Sequence, residues 1–390
     1  MNEQTNYHHG QVIRTFRQKA GLTIAALAEQ WPSGSVSWRY VQRVESGEKQ
    51  IADQQMLRSL SKILDIPLWH FGLSEYDPFE TDALPGHGER LFTETMDIID
   101  QVIDQTWFMR RVAPAPETEK SIRRLLTLFE HFLKHLPPPS QLEKRFLRSF
   151  AQVQRLRAIM LIERRQYSKA LRGFEIMHQI AMQLGEPATL ALAHMGIGTE
   201  LERAGRVQEA IDQLEAARDL SFQCSRQVAA IVNAYLARAY ASDHDAAHFQ
   251  RAIDTAQSIA EGLGDRYGDG TDHIHHRMSG ILAERSYGYL QVGQPQKTLD
   301  LRDTITGQIE INRNAWLFAW LPLDWARAYL ALGDIESSVT QGREFLLRAE
   351  ILQSPHATYQ ADILLQKMEH EGYGKEMIVQ AFRNEMEMQP

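Results

Sequence analysis

The sequence predicts an all-α protein in which a small helical domain precedes a longer array of helical hairpins. Three observations favour this fold class. Apolar residues recur with a helical period along most of the 390-residue chain. Breakers such as Gly21, Gly47 and Gly205 separate the periodic segments. From residue 140 onward, short blocks of sequence repeat every 40 residues or slightly more, which is typical of stacked helical pairs.

The composition is that of a folded protein without a membrane anchor. Apolar residues make up 43% and charged residues 24%, and no stretch approaches the roughly 18 apolar residues of a membrane span. The start of the chain, MNEQTNYHHGQ, lacks an apolar signal core. Cys224 is the one cysteine, so it cannot close an intrachain disulfide. We therefore expect a protein of the reducing cytoplasm that does not bind membranes.

The net charge is unevenly divided along the chain. Residues 1–73 hold eight Lys/Arg and six Asp/Glu, a balance of +2. Since the whole chain carries −8, residues 74–390 carry −10. An acidic body would repel DNA while a mildly basic head approaches it, so any DNA contact is expected to be specific and confined to the head.

Five short elements are predicted in residues 1–73. Each has a recognisable cap or breaker at one end. They are a helix over Gln11–Ala20 stopped by Gly21, a helix capped by Thr23, a helix capped by Ser35 or Ser37 that runs to Glu45, a helix after Asp53, and a final turn after Pro67.

Four blocks of this head resemble the phage-repressor-like helix-turn-helix domains called the XRE group. The blocks are IRTFRQKAGLT (13–23), Leu27-Ala28, Val36-Ser37 and YVQRVESG (40–47). The resemblance implies that the third helix lies in the DNA major groove and that its first half reads base edges. It also implies a structural ion pair between Arg17 and Glu45.

Carried over by position, the resemblance assigns contacts to five residues. Trp38, Arg39 and Gln42 are the expected base-contacting residues, and Ser37 and Arg43 the expected phosphate contacts. Arg can meet guanine bidentately and Gln can meet adenine, which agrees with these roles. The Trp38 indole could equally cover the hydrophobic core of the head.

This head departs from the family pattern in two places. Ile24 stands where the family usually has a Gln that contacts the DNA backbone. The segment between Ala28 and Tyr40 is also about three residues longer than usual, which changes how the third helix is presented. The resemblance therefore predicts no particular operator sequence.

The remainder of the chain divides into three parts. Residues 74–90 are rich in Pro, Gly and acid and are interpreted as a linker. Residues 91–139 carry two helical periods that connect the linker to the repeats, ending at Pro137-Pro138-Pro139. Residues 140–390 form the repeat domain.

The repeats resemble tetratricopeptide repeats. Ala237-Arg238-Ala239-Tyr240 recurs as Ala326-Arg327-Ala328-Tyr329, each followed by a breaker and a new amphipathic helix. The resemblance implies stacked helical hairpins whose first helices line a concave groove. Positions in the second helices align at Ala170, Ala210, Ala252, Thr298 and Ser338.

With Tyr240 and Tyr329 at the packing position of these hairpins, six residues are expected to bind an effector in the groove. Arg238 and Arg327 suit a carboxylate or peptide carbonyls, and Asn233 could clamp an extended peptide. The alternative for both arginines is pairing with acidic residues on neighbouring helices. The full candidate set is Met195, Thr199, Asn233, Arg238, Leu323 and Arg327.

No pattern indicates an enzyme or a bound cofactor. The segment 264–276 gathers Asp265, Asp269, Asp272, His273, His275 and His276. Its spacing matches neither a zinc-protease pair nor a calcium loop, so it is interpreted as an inter-repeat loop without metal. We expect no catalytic residues, no metal and no cofactor.

A helix-turn-helix head joined to such repeats resembles the regulators of Gram-positive bacteria that sense short peptide pheromones in quorum sensing. The resemblance implies transcription regulation by a homodimer on a palindromic operator in double-stranded DNA, with a short peptide as effector. Two alternatives remain: the repeats dock a protein partner, or the chain is a scaffold that does not bind DNA.

Overall fold

All regular elements in the described part of the chain are helical. The computed structural model describes residues 8–73, 87–264, 272–274, 277–312 and 314–388, and within these ranges it contains no strand. The all-α prediction is therefore confirmed. The chain separates into two compact units, Met1–Gly88 and Glu89–Pro390. Most of the predicted linker, residues 74–90, lies outside the described residues.

The first unit contains the five elements that the sequence predicts. They are α1 (His9–Lys19), α2 (Ile24–Glu29), α3 (Trp38–Glu45), α4 (Gln54–Leu64) and a 3₁₀ turn at Leu68–Phe71. Thr23 caps α2 by accepting the Ala26 N–H at 3.1 Å. Of the two candidate caps for α3, Ser37 makes the bond, accepting the Tyr40 N–H at 3.3 Å.

A buried ion pair ties α1 to the end of α3. Arg17 Nε lies 2.6 Å and Nη2 3.0 Å from the two carboxylate oxygens of Glu45. Arg17 Nη1 also donates to the Leu22 carbonyl at 2.7 Å. The pair predicted between these residues is therefore present, and it fixes the orientation of α3 around a core that includes Ile13 and Val41.

The second unit begins with α5 (His87–Val112) and α6 (Ala115–His135) and continues as helical hairpins, each packed on the next. The hairpins pair α7 (Glu143–Glu163) with α8 (Tyr167–Leu184), α9 (Pro187–Arg203) with α10 (Val207–Ser221), α11 (Arg226–Ser242) with α12 (Ala246–Leu263), α13 (Met278–Gln291) with α14 (Pro295–Asp300) and α15 (Arg302–Asn312), α16 (Ala315–Ala331) with α17 (Ile335–Leu352), and α18 (Pro355–His370) with α19 (Met377–Glu387).

Small buried residues allow the two helices of a hairpin to approach closely. Thr298 Oγ1 donates to the Ser286 carbonyl at 2.8 Å, and Ser338 Oγ donates to the Ala326 carbonyl at 2.7 Å. Both bonds join residues twelve apart, one on each helix. We call the first-helix partner the approach residue of its hairpin. By the same spacing the approach residues are Ala158, Gly198, Ala237, Ser286 and Ala326.

The third hairpin departs from the sequence alignment. In four hairpins the aligned residue is the fourth residue of the second helix: Ala170, Ala210, Thr298 and Ser338. In α12 the fourth residue is Phe249, and the aligned Ala252 lies three residues later. A phenyl ring fits there because Gly288 on α13 has no side chain: a Cβ at Gly288 would lie 2.1 Å from the Phe249 ring.

Helix α16 carries a proline in its interior. Pro322 has no N–H to donate to the Phe318 carbonyl, one turn earlier. Arg348 from α17 donates to that carbonyl at 2.8 Å, and its guanidinium lies 3.7 Å from the Phe318 ring centre. The side chain from the partner helix therefore satisfies the carbonyl that the proline leaves open.

Among the described helices, none is both long enough and apolar enough to cross a lipid bilayer.

We expect Arg17→Met to destabilise the first unit by about 3 kcal/mol, because it leaves the buried Glu45 carboxylate unpaired. Hydrogen exchange of α1 and α3, measured by mass spectrometry on the full chain, should accelerate. The double variant R17M/E45L should recover part of the protection. Arg14→Met, at an exposed position of α1, is the control. Unchanged exchange in R17M would show that the pair does not support this unit.

Candidate functional site

The second unit contains a large groove lined by the first helices of its hairpins. The cavity measures about 980 Å³, at the upper end of the roughly 300–1,000 Å³ found for small-ligand sites. Most of the lining comes from the first helices α7, α9, α11, α13, α16 and α18; α5 supplies a further wall, and Tyr167 and Phe174 of α8 also contribute. The sequence prediction that first helices form the inner surface therefore matches this arrangement.

The groove lining follows the repeat register. The residue directly after each approach residue lines the groove, since the approach residue itself faces the second helix. In chain order these lining residues are Ile159, Thr199, Arg238, Tyr287 and Arg327. Their chemistry changes along the groove from apolar to hydroxyl to cationic and aromatic.

Five of the six predicted effector residues meet in this groove. Met195, Thr199, Arg238, Leu323 and Arg327 all line it. Asn233 does not: it is buried, and its amide donates to the Ala229 carbonyl of its own helix at 2.8 Å. Five helical steps separate Asn233 from Arg238, which rotates its side chain by about 140° away from the groove. Effector binding by the other five stays a prediction.

A charged network crosses the middle of the groove. Arg238 lies 3.2 Å from Glu202 and 3.4 Å from Glu284, and it stacks 4.0 Å from the centre of the Tyr287 ring. Burial alone would lower the pKa of Arg238, but the neighbouring carboxylates and tyrosines raise it well above its ordinary value. Arg238 therefore both lines the groove and pairs across helices, as the alternative interpretation expected.

Arg327 makes weaker ionic contacts than Arg238. Its Nη2 donates to the Gln360 side-chain oxygen at 2.6 Å, and Nη1 lies 3.7 Å from Asp324 on the same helix. Burial raises the pKa of Asp324, opposed by the charges of Arg327 and Arg238.

Glu200 is a buried carboxyl in the groove wall. The residue is 3% exposed, and neither carboxylate oxygen accepts a hydrogen bond within the described chain. Arg203 lies 3.3 Å from one oxygen. Burial raises the pKa of Glu200 to about 7, with a further increase from Glu202 and opposing effects from Arg203 and Arg238. This carboxyl changes charge near neutral pH.

Sequence reasoning missed the arginines of the remaining wall. Arg110 and Arg111 lie on the connecting helix α5, and Arg155 on the first helix of the first hairpin. Trp107, three and four residues before the α5 arginines, shares their helical face and also lines the groove. That spacing is visible in the sequence, but it does not reveal that α5 borders the groove.

The first and last hairpins meet beside the groove. Ser354 Oγ donates to Glu163 at 2.6 Å, and the Tyr167 hydroxyl lies 3.1 Å from His356 Nδ1. Burial lowers the pKa of His356 to about 3, assisted by nearby arginines that include Arg203. His356 is therefore neutral near pH 7, so this contact is an uncharged hydrogen bond.

The histidine-rich segment is only partly described. Asp265, Asp269, His275 and His276 lie outside the described residues. The Asp272 carbonyl accepts from Arg155 at 2.8 Å, and His273 stacks on Trp107 with ring centres 5.7 Å apart. In the described ranges no cluster of three or more His, Cys, Asp or Glu is arranged to hold a metal ion.

All five predicted DNA-contacting residues, on α3 of the first unit and at its N-cap, are exposed. These are Ser37, Trp38, Arg39, Gln42 and Arg43. Trp38 is 51% exposed, with the Arg39 guanidinium 5.4 Å from its ring centre. The alternative that Trp38 covers the core is therefore not supported.

A different tryptophan covers the core of the first unit. Trp31 is 3% exposed and packs edge-on against Tyr40 with ring centres 5.5 Å apart. The longer segment before α3 thus contributes its own aromatic anchor. On the outer surface Arg43 pairs with Glu48 at 3.3 Å, and both side chains are mostly exposed.

Solved structures of known proteins match this chain at low sequence identity. The crystal structure of the apo form of RapI matches at a TM-score of 0.51 and 12% identity, covering 77% of this chain and 93% of RapI. Bacillus thuringiensis PlcR, solved in complex with the peptide PapR7 and DNA, matches at a TM-score of 0.38 and 13% identity, covering 97% of this chain and 99% of PlcR. No protein-family model and no curated sequence matches the chain. The likeness to RapI supports the all-α, tetratricopeptide-like fold.

We expect Glu200 to make stability fall as pH rises. Its pKa is 4.5 in an ordinary setting and about 7 in the folded protein, so the folded state holds the proton more tightly. This stabilisation is complete below pH 4.5 and is lost as pH rises to about 7, a change of roughly 3 kcal/mol. Urea unfolding followed by circular dichroism should show it.

Glu200→Gln removes the titration, so its stability relative to wild type should increase from pH 4.5 to 7.5. Glu261→Gln, at an exposed position of α12, controls for the loss of one negative charge. If the unfolding free energies of wild type and E200Q changed in parallel with pH, Glu200 would not titrate with a raised pKa in the folded protein.

Proposed function

We propose that the chain is a cytoplasmic, non-catalytic transcription regulator of the XRE kind, with a head that binds a specific DNA sequence and a repeat unit that senses a short peptide. The observation that carries the proposal is the pairing of an exposed, capped α3 with a separate unit that contains a large groove. The likeness to RapI supports the fold that forms this groove.

The chemistry of α3 suits base recognition. Arg39 and Gln42 are three residues apart on one face of the helix and both are exposed. Ser37 caps the helix with its side chain, which leaves the first turn regular and accessible. The Arg17–Glu45 pair holds the other end of α3 against α1. A rigid helix with exposed Arg and Gln can present both groups to base edges.

The groove suits an extended peptide better than a compact apolar ligand. An extended chain presents N–H and C=O groups that need partners along its length. The groove offers polar side chains from several hairpins, including Thr199, Glu200, Arg238, Tyr287 and Arg327. Aromatic and aliphatic residues such as Trp320 and Ile159 line the same groove. Both main-chain groups and apolar side chains of a peptide would find partners.

A homodimer would explain both tight DNA binding and its control by the peptide. One small head makes few base contacts, whereas two heads on half-sites about 34 Å apart, or a multiple of that distance, bind a palindrome together. A peptide that binds one arrangement of the hairpins more tightly shifts the population toward it, which changes the spacing of the heads in the dimer.

We expect the purified protein to select specific duplexes from a randomised DNA pool, and R39A/Q42A to weaken binding to the selected site at least about 30-fold. Two lost bidentate base contacts correspond to about 2–6 kcal/mol. Fluorescence anisotropy at fixed salt measures the change. The control Q55A/K62A likewise removes one amide and one positive charge, from exposed positions of α4. Failure of the wild type to select any sequence would favour the scaffold alternative.

We expect affinity selection from a library of linear five- to eight-residue peptides to yield binders that compete for the groove. Thr199→Trp should abolish this binding, because the indole would occupy the groove beside Arg238. Gln208→Trp, at an exposed position of α10, is the control. Isothermal titration with selected peptides measures affinity. If wild type binds no peptide but captures a protein whose binding T199W blocks, the docking alternative replaces the peptide effector.

A further inference from the structure

The groove is positively charged although the unit around it is acidic. Seven Arg and Lys side chains line it against five Asp and Glu, whereas residues 74–390 carry −10. The acids are not spread evenly among the cations. Glu202 and Glu284 both form ion pairs with Arg238, Asp324 lies beside Arg327, and Glu200 lies beside Arg203. Of the remaining lining charges, Lys367 on α18 lies 3.9 Å from Glu371, and Arg110, Arg111 and Arg155 share Glu163 as the remaining acid of the described lining. The excess positive charge therefore falls on the wall formed by α5 and α7.

Three arginines on that wall each lie against an aromatic ring. The guanidinium of Arg110 is 4.0 Å from the Trp316 ring centre, that of Arg155 is 4.7 Å from Trp107, and that of Arg111 is 5.5 Å from Phe108. Stacking on an aromatic face holds a guanidinium plane while its N–H edge stays available to an acceptor. We call Arg110, Arg111 and Arg155 the arginine wall.

The arginine wall has too few acceptors for its donors. Among the described residues Glu163 is the carboxylate that pairs with it, 3.4 Å from Arg110, and Glu163 also accepts from Ser354. Arg155 donates one bond to the Asp272 carbonyl. The Nε atoms of Arg110 and Arg111 are buried and make no hydrogen bond within the described residues. Buried donors of this kind normally have partners.

The surroundings of the three guanidiniums agree with this shortage. Burial lowers the pKa of Arg110 and Arg111, and it lowers that of Arg155 to about 10. Arg277 lowers the pKa of Arg111 further. In Arg238 the same desolvation is more than offset by carboxylates. An anion at the arginine wall would supply the missing counter-charge.

We propose that the arginine wall binds a carboxylate carried by the effector. The planar guanidinium fork matches two carboxylate oxygens, and the indoles of Trp107 and Trp316 hold the Arg155 and Arg110 guanidiniums in place at the groove. The carboxylate site is inferred from the geometry of the groove alone. That the effector is a peptide rests on the proposed function. The carboxylate is then either the C-terminus of the peptide or an acidic side chain.

Small probes can test the site without knowledge of the peptide. The full chain is labelled with ¹⁵N-arginine, and the Nε–Hε resonances of Arg110 and Arg111 are assigned from R110Q and R111Q. N-acetyl-leucine presents a main-chain carboxylate, N-acetyl-glutamate α-amide a side-chain carboxylate, and N-acetyl-leucinamide neither. We expect at least one carboxylate to shift these resonances and to bind about tenfold more tightly than leucinamide.

The variants separate binding from folding. Arg111→Gln should weaken carboxylate binding about fivefold to tenfold while the thermal unfolding midpoint stays near that of wild type, because Arg111 is only half-buried. Arg251→Gln, on an exposed part of α12, should change neither property. A folded R111Q that binds carboxylates like wild type would exclude Arg111 from the site.

The two carboxylate sources are then distinguished on selected peptides. Each peptide is made with a free and with an amidated C-terminus, and amidation should weaken binding about tenfold if the chain end occupies the wall. An effect only on replacing an acidic side chain would assign that source instead. Equal binding of N-acetyl-leucine, the glutamate amide and leucinamide would overturn the proposal. Carboxylate binding with no peptide binder would overturn the peptide effector but retain the site.

Discussion

The second unit depends on the close approach of paired helices at one register position. A small residue on the first helix, such as Ala158 or Ser286, lies against the second helix, and a larger side chain there would separate the pair. Because the helical period is fixed, the next residue must then face the groove. The contact that holds each hairpin together therefore also decides which side chain it contributes to the groove.

Burial then determines how strongly the charged side chains of the groove hold their protons. Inside the groove a charge lacks the solvation that water would provide, so its nearest partners decide whether it is stabilised. Arg238 has two carboxylates and retains its proton more firmly than usual, whereas Arg155, which donates to a backbone carbonyl, retains it less firmly. Glu200, with no hydrogen-bond donor in the described chain, holds its proton near neutrality.

In the first unit, the short helix α3 is held rigid while one of its faces stays in solvent. Helix α3 has only eight residues and would not be stable alone. The Ser37 cap, the Arg17–Glu45 pair and the buried face formed by Val41 and Val44 hold it. These contacts use none of the exposed residues at Trp38, Arg39 and Gln42.

Local sequence determined the helices and much of the groove. The helical period, the capping residues and the recurrence of Ala237–Tyr240 at Ala326–Tyr329 sufficed to place Thr199, Arg238 and Arg327 on the inner surface. They sufficed because a helix turns by a constant angle per residue, so one packing position implies the others. The same rule, applied from the structure, excludes Asn233 from the groove.

Contacts between distant parts of the chain set which elements outside the repeats complete the groove and which charges have few partners. Nothing local shows that α5 brings Arg110 and Arg111 to the groove, that Phe249 rather than Ala252 occupies the α12 position opposite Gly288, or that Trp31 and not Trp38 is buried. These outcomes depend on contacts between residues far apart in the chain. Desolvation and ion pairing are properties of such contacts, and a residue's own neighbours in sequence do not specify them.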